Sequence, residues 1–187
     1  MVRTTKAQRE ASIQNIFIDV GAEYGYGNVS VKLTTRKNFT AKWQRSFNWI
    51  SFDLSDFVEY APAEAIRGLA RSIFSRICGK GEPYGQEFTD YVMSEEFLSK
   101  MQPRFIRRNH AVTDDRLDDI VAGLDAPEGT AFAVTDSKSH DVTTVSVLLR
   151  TVLVPRSTLE WIDDDDMRDL IADKLATLTY GIEHFGE

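Results

Sequence analysis

The side chains that most often do chemistry in proteins are few in this chain. It has one cysteine, Cys78, and three histidines, His110, His140 and His184, none of which has a second histidine four residues away. A lone cysteine cannot form an intramolecular disulfide or a cysteine-based zinc site, and we expect Cys78 to be a small buried residue. The histidines are expected to lie on the surface. These residues predict neither a metal site nor cysteine-based catalysis.

The densest group of carboxylates is the run of four aspartates at 163–166. Carboxylate oxygens suit Mg²⁺ or Ca²⁺, so a hydrolase with an unrecognised divalent-metal site in the acidic C-terminal half is one alternative for the function. Consecutive aspartates point around a helix start rather than converging, and negative side chains are favourable at the N-terminus of a helix. We therefore interpret the run first as the beginning of a helix.

Residues 62–78 are predicted to form a long helix that faces a core. Pro62 suits a first helical turn, and apolar residues recur at three- and four-residue spacing through this segment. The middle of the helix reads Arg71-Ser72-Ile73-Phe74-Ser75, and the phrase Tyr84-Gly85-Gln86-Glu87-Phe88 follows after the glycine at 79. These two phrases carry the candidate site.

The order of a helix at 7–20, a strand pair, the strand ISFDL and the helix at 62–78 resembles that of SprT-like and related minimal zincin metallopeptidases. The resemblance covers residues 7 to about 100. In that family the long helix carries HExxH and a third histidine follows. The resemblance implies that Arg71 and Ser75 stand where the two histidines would be, Ser72 where the glutamate would be, and Tyr84 where the third ligand would be. It implies an α+β, zincin-like fold, with helices packed on a small, mostly antiparallel sheet.

Zinc-dependent hydrolysis needs the residues that these positions lack. Arginine cannot bind Zn²⁺, serine is a poor ligand, and Ser72 has no carboxylate to act as a base. We therefore expect a pseudo-enzyme with no cofactor and no metal. A vestigial cleft of Arg71, Ser72, Ser75, Tyr84 and Glu87 would bind a peptide or protein partner, with Arg71 paired to Glu87 or another acid.

The best local basic patch in this interpretation is Arg104, Phe105, Arg107 and Arg108, in a connector that reads KMQPRFIRRNHAV. An aromatic ring among arginines suits a single-stranded nucleic acid. The chain, however, has 22 basic and 29 acidic residues and a formal charge of −7, which repels nucleic acid and anionic membranes. Nucleic acid is therefore not the expected partner. The glycines at 21, 25 and 27 precede a strand, so they form no phosphate-binding loop.

The length of 187 residues and a hydrophobic content of 42% suit a single domain, which we divide into a zincin-like half at 1–109 and a strand–helix half at 110–187. No apolar run approaches the ~20 residues of a membrane-spanning helix, and the N-terminus lacks the apolar core of a signal peptide. The single cysteine suits a reducing compartment. A cytoplasmic protein is therefore expected.

The remaining segments predict helices at 85–100, 114–124 and 165–184, and strands at 130–136 and 143–155 joined by a hairpin loop at 137–141. Residues 50–79 laid over 152–181 give a weak internal repeat of strand, turn, helix and glycine. A third alternative for the function is a homo-oligomeric structural protein. Exposure of Phe132, Trp161 and Phe185 would favour it.

Overall fold

The computed structural model describes residues 4–137 and 142–186. They form an α+β protein with two compact units, unit 1 at Met1–Val92 with Gly186–Glu187, and unit 2 at Met93–Phe185. Each unit has its own small sheet. The predicted α+β class is confirmed. His140 and most of the predicted hairpin loop lie outside the described residues.

Unit 1 contains one mixed three-stranded sheet and three α-helices among its described residues. The elements are α1 (Lys6–Glu23), β1 (Asn28–Thr34), β2 (Ala41–Ser46), β3 (Trp49–Ser55), a 3₁₀ turn (Asp56–Val58), α2 (Ala63–Ile77) and α3 (Gln86–Met93). The strand order is β1-β3-β2, with β3 parallel to β1 and antiparallel to β2. The expectation of a mostly antiparallel sheet is wrong, because β3 inserts between β1 and β2 instead of following at the edge.

The core of unit 1 lies where α1 and α2 meet the sheet. The ring of Phe52 on β3 lies 5.0 Å from that of Phe17 and 5.2 Å from that of Phe74, measured between centroids. Helix α1 approaches β1 closely at Gly21, where an added Cβ would lie 2.6 Å from a methyl group of Val29. Gly21 therefore permits close packing, and α1 runs past the predicted end at residue 20 as far as Glu23.

Unit 2 contains a four-stranded sheet and four α-helices among its described residues. The elements are α4 (Glu95–Arg108), β4 (Ala111–Val112), α5 (Asp115–Val121), β5 (Ala131–Thr135), β6 (Thr144–Ser146), β7 (Thr151–Pro155), α6 (Arg156–Trp161) and α7 (Asp164–Glu183). The strand order is β4-β5-β7-β6, with β5 and β7 parallel and the other pairs antiparallel.

Two predicted segments of unit 2 differ from the structure. The basic connector is helical, because Ser94 caps α4 and the buried Phe97, Met101 and Phe105 recur at helical spacing on both sides of Pro103. The single strand predicted at 143–155 is two strands, β6 and β7, with a turn between them in which Arg150 has a φ of 41°.

The two units have the same succession of elements around their central strands. In each, a helix precedes a strand that pairs in parallel with the central strand, an antiparallel strand follows, and the central strand leads through a short helical segment into a long helix. The repeat predicted over 50–79 and 152–181 falls on these elements. It places β3 over β7, and α2 over α7.

Candidate functional site

Two buried serines on α2 hold the loop that leads into α3. The Ser72 hydroxyl lies 2.9 Å from the carbonyl oxygen of Gly68 and 3.0 Å from that of Pro83, and it accepts a hydrogen bond from the Gly85 amide at 3.1 Å. The Ser75 hydroxyl accepts a hydrogen bond from the Glu82 amide at 3.2 Å. Through these hydrogen bonds to the backbone, both hydroxyls hold the loop of residues 78–85 against α2.

A pocket of about 200 Å³ opens beside Ser72. Its lining comes from one side of α2, from the loop and from the start of α3: Glu64, Arg67, Gly68, Arg71, Ser72, Glu82, Pro83, Gly85 and Glu87. Three of these residues are acidic and two are basic. We call this feature the α2 pocket.

Close contact between two glycines shapes the floor of the α2 pocket. A Cβ added at Gly85 would lie 3.0 Å from the Cα of Gly68, and one added at Gly68 would lie 3.6 Å from Oε2 of Glu87. The approach is tight at Gly85, where a Cβ would press on the backbone of α2, whereas a Cβ at Gly68 would make ordinary contacts. The close approach at Gly85 brings the Glu87 carboxylate beside Gly68 on the helix.

The charged groups of the α2 pocket are largely uncommitted. Arg71 forms an exposed ion pair with Glu23, at 3.4 Å. Within the described parts of the chain, the side chains of Arg67, Glu64 and Glu87 form no hydrogen bond or ion pair. Charged groups that line a concave surface without protein partners can bind a polar ligand at little cost in broken interactions.

Tyr24 packs against α2, with its hydroxyl 3.4 Å from the carbonyl oxygen of Arg71 and its ring stacked on that of Phe74. Burial, followed by the carboxylates of Glu82 and Glu23, raises the pKa of Tyr24. The phenol therefore stays protonated at neutral pH and supplies no base to the α2 pocket.

The five residues of the predicted vestigial cleft are divided by the structure. Arg71, Ser72 and Glu87 line the α2 pocket. Ser75 is fully buried under the loop, and the ring of Tyr84 lies under the Arg76 guanidinium, 4.2 Å from it. The partner of Arg71 is Glu23, one of the other acids that the sequence left open, and the ion pair with Glu87 does not form.

Sequence reasoning missed Glu64, Arg67 and Glu82 as lining residues. Glu64, Arg67 and Arg71 follow one another at three- and four-residue spacing, which places them on one side of α2. That spacing was a usable signal. Glu82 had none, because its place depends on how the loop returns to the helix.

The charges that line the α2 pocket are not repeated on α7, the equivalent helix of unit 2. In the alignment of the predicted repeat, Glu64, Arg67 and Arg71 correspond to Asp166, Asp169 and Asp173 on α7. The basic residues are replaced by acids. The charge pattern is therefore a property of unit 1 alone.

The predicted basic patch lies on α4 in unit 2. Phe105 is buried in the core of that unit, so its ring offers no surface for stacking. Arg104 and Arg108 are half-buried, and Arg107 is exposed. The helix separates the ring from the exposed Arg107, because residues two positions apart do not share a helical face.

The other candidate residues form no metal site that the structure describes. No group of three histidine, cysteine, aspartate or glutamate residues converges within residues 4–137 and 142–186. Asp163 caps α7 and Asp164 pairs with Arg116 at 2.7 Å, as expected for a helix start. His184 contacts the carbonyl oxygen of Tyr180 at the end of the same helix.

Cys78 is exposed, so its predicted burial is wrong. It follows the last residue of α2, beyond the apolar face of that helix.

Of the three aromatic residues that would favour an oligomer, only Trp161 is exposed, at 87%. Phe132 packs partly against the core of unit 2, and Phe185 is half-buried. None of the helices in the described ranges is long and apolar enough to cross a membrane.

The chain matches no family model, and no curated protein or solved structure matches it either.

Proposed function

We propose that this chain is a non-catalytic, zincin-like binding protein that takes a lysine or arginine side chain of a peptide or protein partner in the α2 pocket. The relationship to zincin metallopeptidases and a cytoplasmic location are parts of this proposal. The order of helix, three strands and long helix in unit 1 supports the relationship to zincins. The single cysteine supports the cytoplasmic location. The uncommitted charges of the α2 pocket carry the proposal.

The charge of the α2 pocket favours a basic ligand group. Arg71 is paired with Glu23, which leaves one guanidinium, that of Arg67, against the carboxylates of Glu64, Glu82 and Glu87. The excess is two negative charges. A lysine or arginine side chain complements this lining, whereas an acidic side chain is repelled.

The size of the α2 pocket favours one side chain of a larger partner. Pockets that enclose a whole small molecule hold about 300–1,000 Å³. The α2 pocket holds about 200 Å³, which suits the end of one long side chain. The rest of a peptide would then lie across the exposed loop and the start of α3.

Panning a random dodecapeptide library, displayed on phage, against the immobilised full chain tests the proposal. We expect the selected sequences to share a lysine or arginine at one position. Calorimetric titration of one selected synthetic peptide then compares the wild type with Glu87→Gln, which we expect to weaken binding about fivefold, the worth of one partly exposed charge pair. Glu160→Gln, an exposed carboxylate of unit 2, is the matched control and leaves binding unchanged.

Replacing the shared arginine of that peptide with citrulline, or its lysine with norleucine, removes the charge and keeps the shape. We expect this replacement to abolish measurable binding. The proposal fails if the library gives no basic consensus, or if Glu64→Gln and Glu87→Gln both bind the selected peptide as tightly as the wild type.

A further inference from the structure

The charge of this chain is strongly segregated. Residues 1–92 hold 12 of the 22 basic and 10 of the 29 acidic residues, a net charge of +2, whereas the remaining residues carry −9. Within unit 1, residues 24–52 contain five basic residues and no acid. These 29 residues contain the three strands of the sheet almost entirely. The overall acidity therefore does not describe the surface around this sheet.

Exposed aromatic rings are concentrated in the same segment. Trp43 is 49% exposed, Phe47 is fully exposed and Trp49 is 40% exposed. They lie on β2, on the turn and at the start of β3, so all three belong to the hairpin of residues 41–55, which we call the aromatic hairpin. Large exposed aromatic residues interleaved with cations are typical of surfaces that bind single-stranded nucleic acid.

The turn of the aromatic hairpin is held in a strained conformation. Ser46 pairs with Trp49, so Phe47 and Asn48 form a two-residue turn, and the φ of Phe47 is 32°. A positive φ at the first turn position is normally supplied by glycine. Phenylalanine brings no compensating burial here, because its ring is fully exposed. Strain that is not repaid by packing is typical of functional segments.

The sheet also presents a polar, basic face beside the aromatic hairpin. In register across the three strands, Lys32 and Lys42 flank Asp53, and Asp53 already has an ion pair with Arg36. Trp49 belongs to this face, because it is two and four residues from Ser51 and Asp53, whereas Trp43 points to the opposite face with its buried partner Phe52. Asp53 is thus neutralised locally and the two lysines are in excess. A depression of about 420 Å³ lies here, lined by Lys32, Lys42, Trp43, Gln44, Ser51, Phe52 and Asp53.

We propose that the aromatic hairpin and the adjoining sheet face bind single-stranded nucleic acid. Bases stack on Trp49 and Phe47, and Lys32 and Lys42 contact phosphates across the depression. Gln44 and Ser51 supply hydrogen bonds to base edges or sugars. This surface and its ligand are separate from the α2 pocket, so the inference goes beyond the proposed function.

Other anionic partners fit this surface less well. An acidic peptide would use the lysines but leave the aromatic rings in water, and an anionic membrane would take the rings but not the polar row of Gln44 and Ser51. A duplex hides its bases from stacking. Single strands alone offer both planar bases and phosphates to the same surface.

Fluorescence anisotropy of a labelled oligothymidylate of about 15 nucleotides, titrated with the full chain, tests this proposal. We expect binding that Trp49→Ala and Phe47→Gly each weaken about tenfold, since one stacked base is lost. Phe47→Gly suits the positive φ, so a loss of binding by this variant does not come from misfolding. Trp161→Ala, which removes an exposed tryptophan of unit 2, is the matched control and leaves binding unchanged.

The salt dependence separates the phosphate contacts from the stacking contacts. Between about 50 and 200 mM salt, Lys42→Ala is expected to reduce the slope of log affinity against log salt by about 0.7, whereas Phe47→Gly leaves the slope unchanged. Lys6→Ala, an exposed lysine on α1, is the matched control for charge.

Several results would overturn the proposal. They are no binding of the oligonucleotide, binding of the duplex with the same sequence as tightly as the single strand, or binding by Trp49→Ala and Phe47→Gly that is as tight as that of the wild type. Preferential binding to poly-glutamate or to vesicles of phosphatidylserine and phosphatidylcholine would assign the surface to an acidic protein or to a membrane instead.

Discussion

Removing the Ser72 hydroxyl tests how the α2 pocket is built. In Ser72→Ala, the Gly85 amide loses the acceptor at 3.1 Å, and the carbonyl oxygens of Gly68 and Pro83 lose a donor that they share. A net hydrogen bond contributes about 1 kcal/mol, and a buried amide left unsatisfied costs about 1–3 kcal/mol. We therefore expect the free energy of unfolding to fall by about 2 kcal/mol.

Urea unfolding followed by circular dichroism measures this loss, and amide hydrogen exchange locates it. The Gly85 amide should exchange faster in Ser72→Ala, while the Glu82 amide, held by Ser75, should change less. Ser99→Ala removes an exposed hydroxyl that donates to the Glu96 carbonyl oxygen, and it should stay within about 0.5 kcal/mol of the wild type. A Ser72→Ala variant that is no less stable than this control, with unchanged exchange at Gly85, would show that the hydroxyl does not hold the loop.

Three further predictions concern other features. The Thr34 hydroxyl, followed by Arg36, lowers the pKa of Asp53, so the Asp53 carboxylate stabilises the fold above about pH 4 and this contribution is lost as the pH falls further. Asp53→Asn should flatten the acid end of a profile of thermal stability against pH, and an unchanged profile would contradict this. Gly85→Ala should lower the free energy of unfolding by about 1–3 kcal/mol and weaken binding of the selected peptide, because the added Cβ meets the backbone of α2. The control Gly79→Ala has open space and a φ of 75°, so it should cost about 1 kcal/mol and leave peptide binding, measured by calorimetry, intact. Trp161→Ala should leave stability within about 0.5 kcal/mol, since the ring is 87% exposed; in analytical ultracentrifugation, a concentration-dependent mass that this variant abolishes would instead favour the oligomeric alternative.

The regular elements of unit 1 could be predicted because their apolar spacing is strong. Ala65, Leu69 and Ile73 recur on one face of α2, and Ile50, Phe52 and Leu54 alternate along β3, as the structure has them. Helix α4 could not be predicted in this way, because Pro103 and the nearby arginines indicated a connector. Its buried face outweighed the local signal.

The candidate site was only partly predictable from the sequence. Spacing placed Arg71 and Ser72 on the long helix, but the approach of Gly85 to Gly68, which brings Glu87 to the pocket, depends on tertiary packing. The aromatic hairpin was missed for a different reason. A net charge summed over the whole chain hid the basic segment at 24–52, whereas a count for each part of the chain would have found it.

Nuclear magnetic resonance of the nitrogen-15-labelled chain, titrated with the selected basic peptide, shows where the peptide binds. We expect amide shifts that saturate together at Gly68, Glu82 and Gly85, which surround the α2 pocket, and we expect them to be lost when the peptide carries citrulline or norleucine. Saturating shifts confined to other parts of the chain, or unchanged shifts with the neutral peptide, would contradict binding of a basic side chain in the α2 pocket.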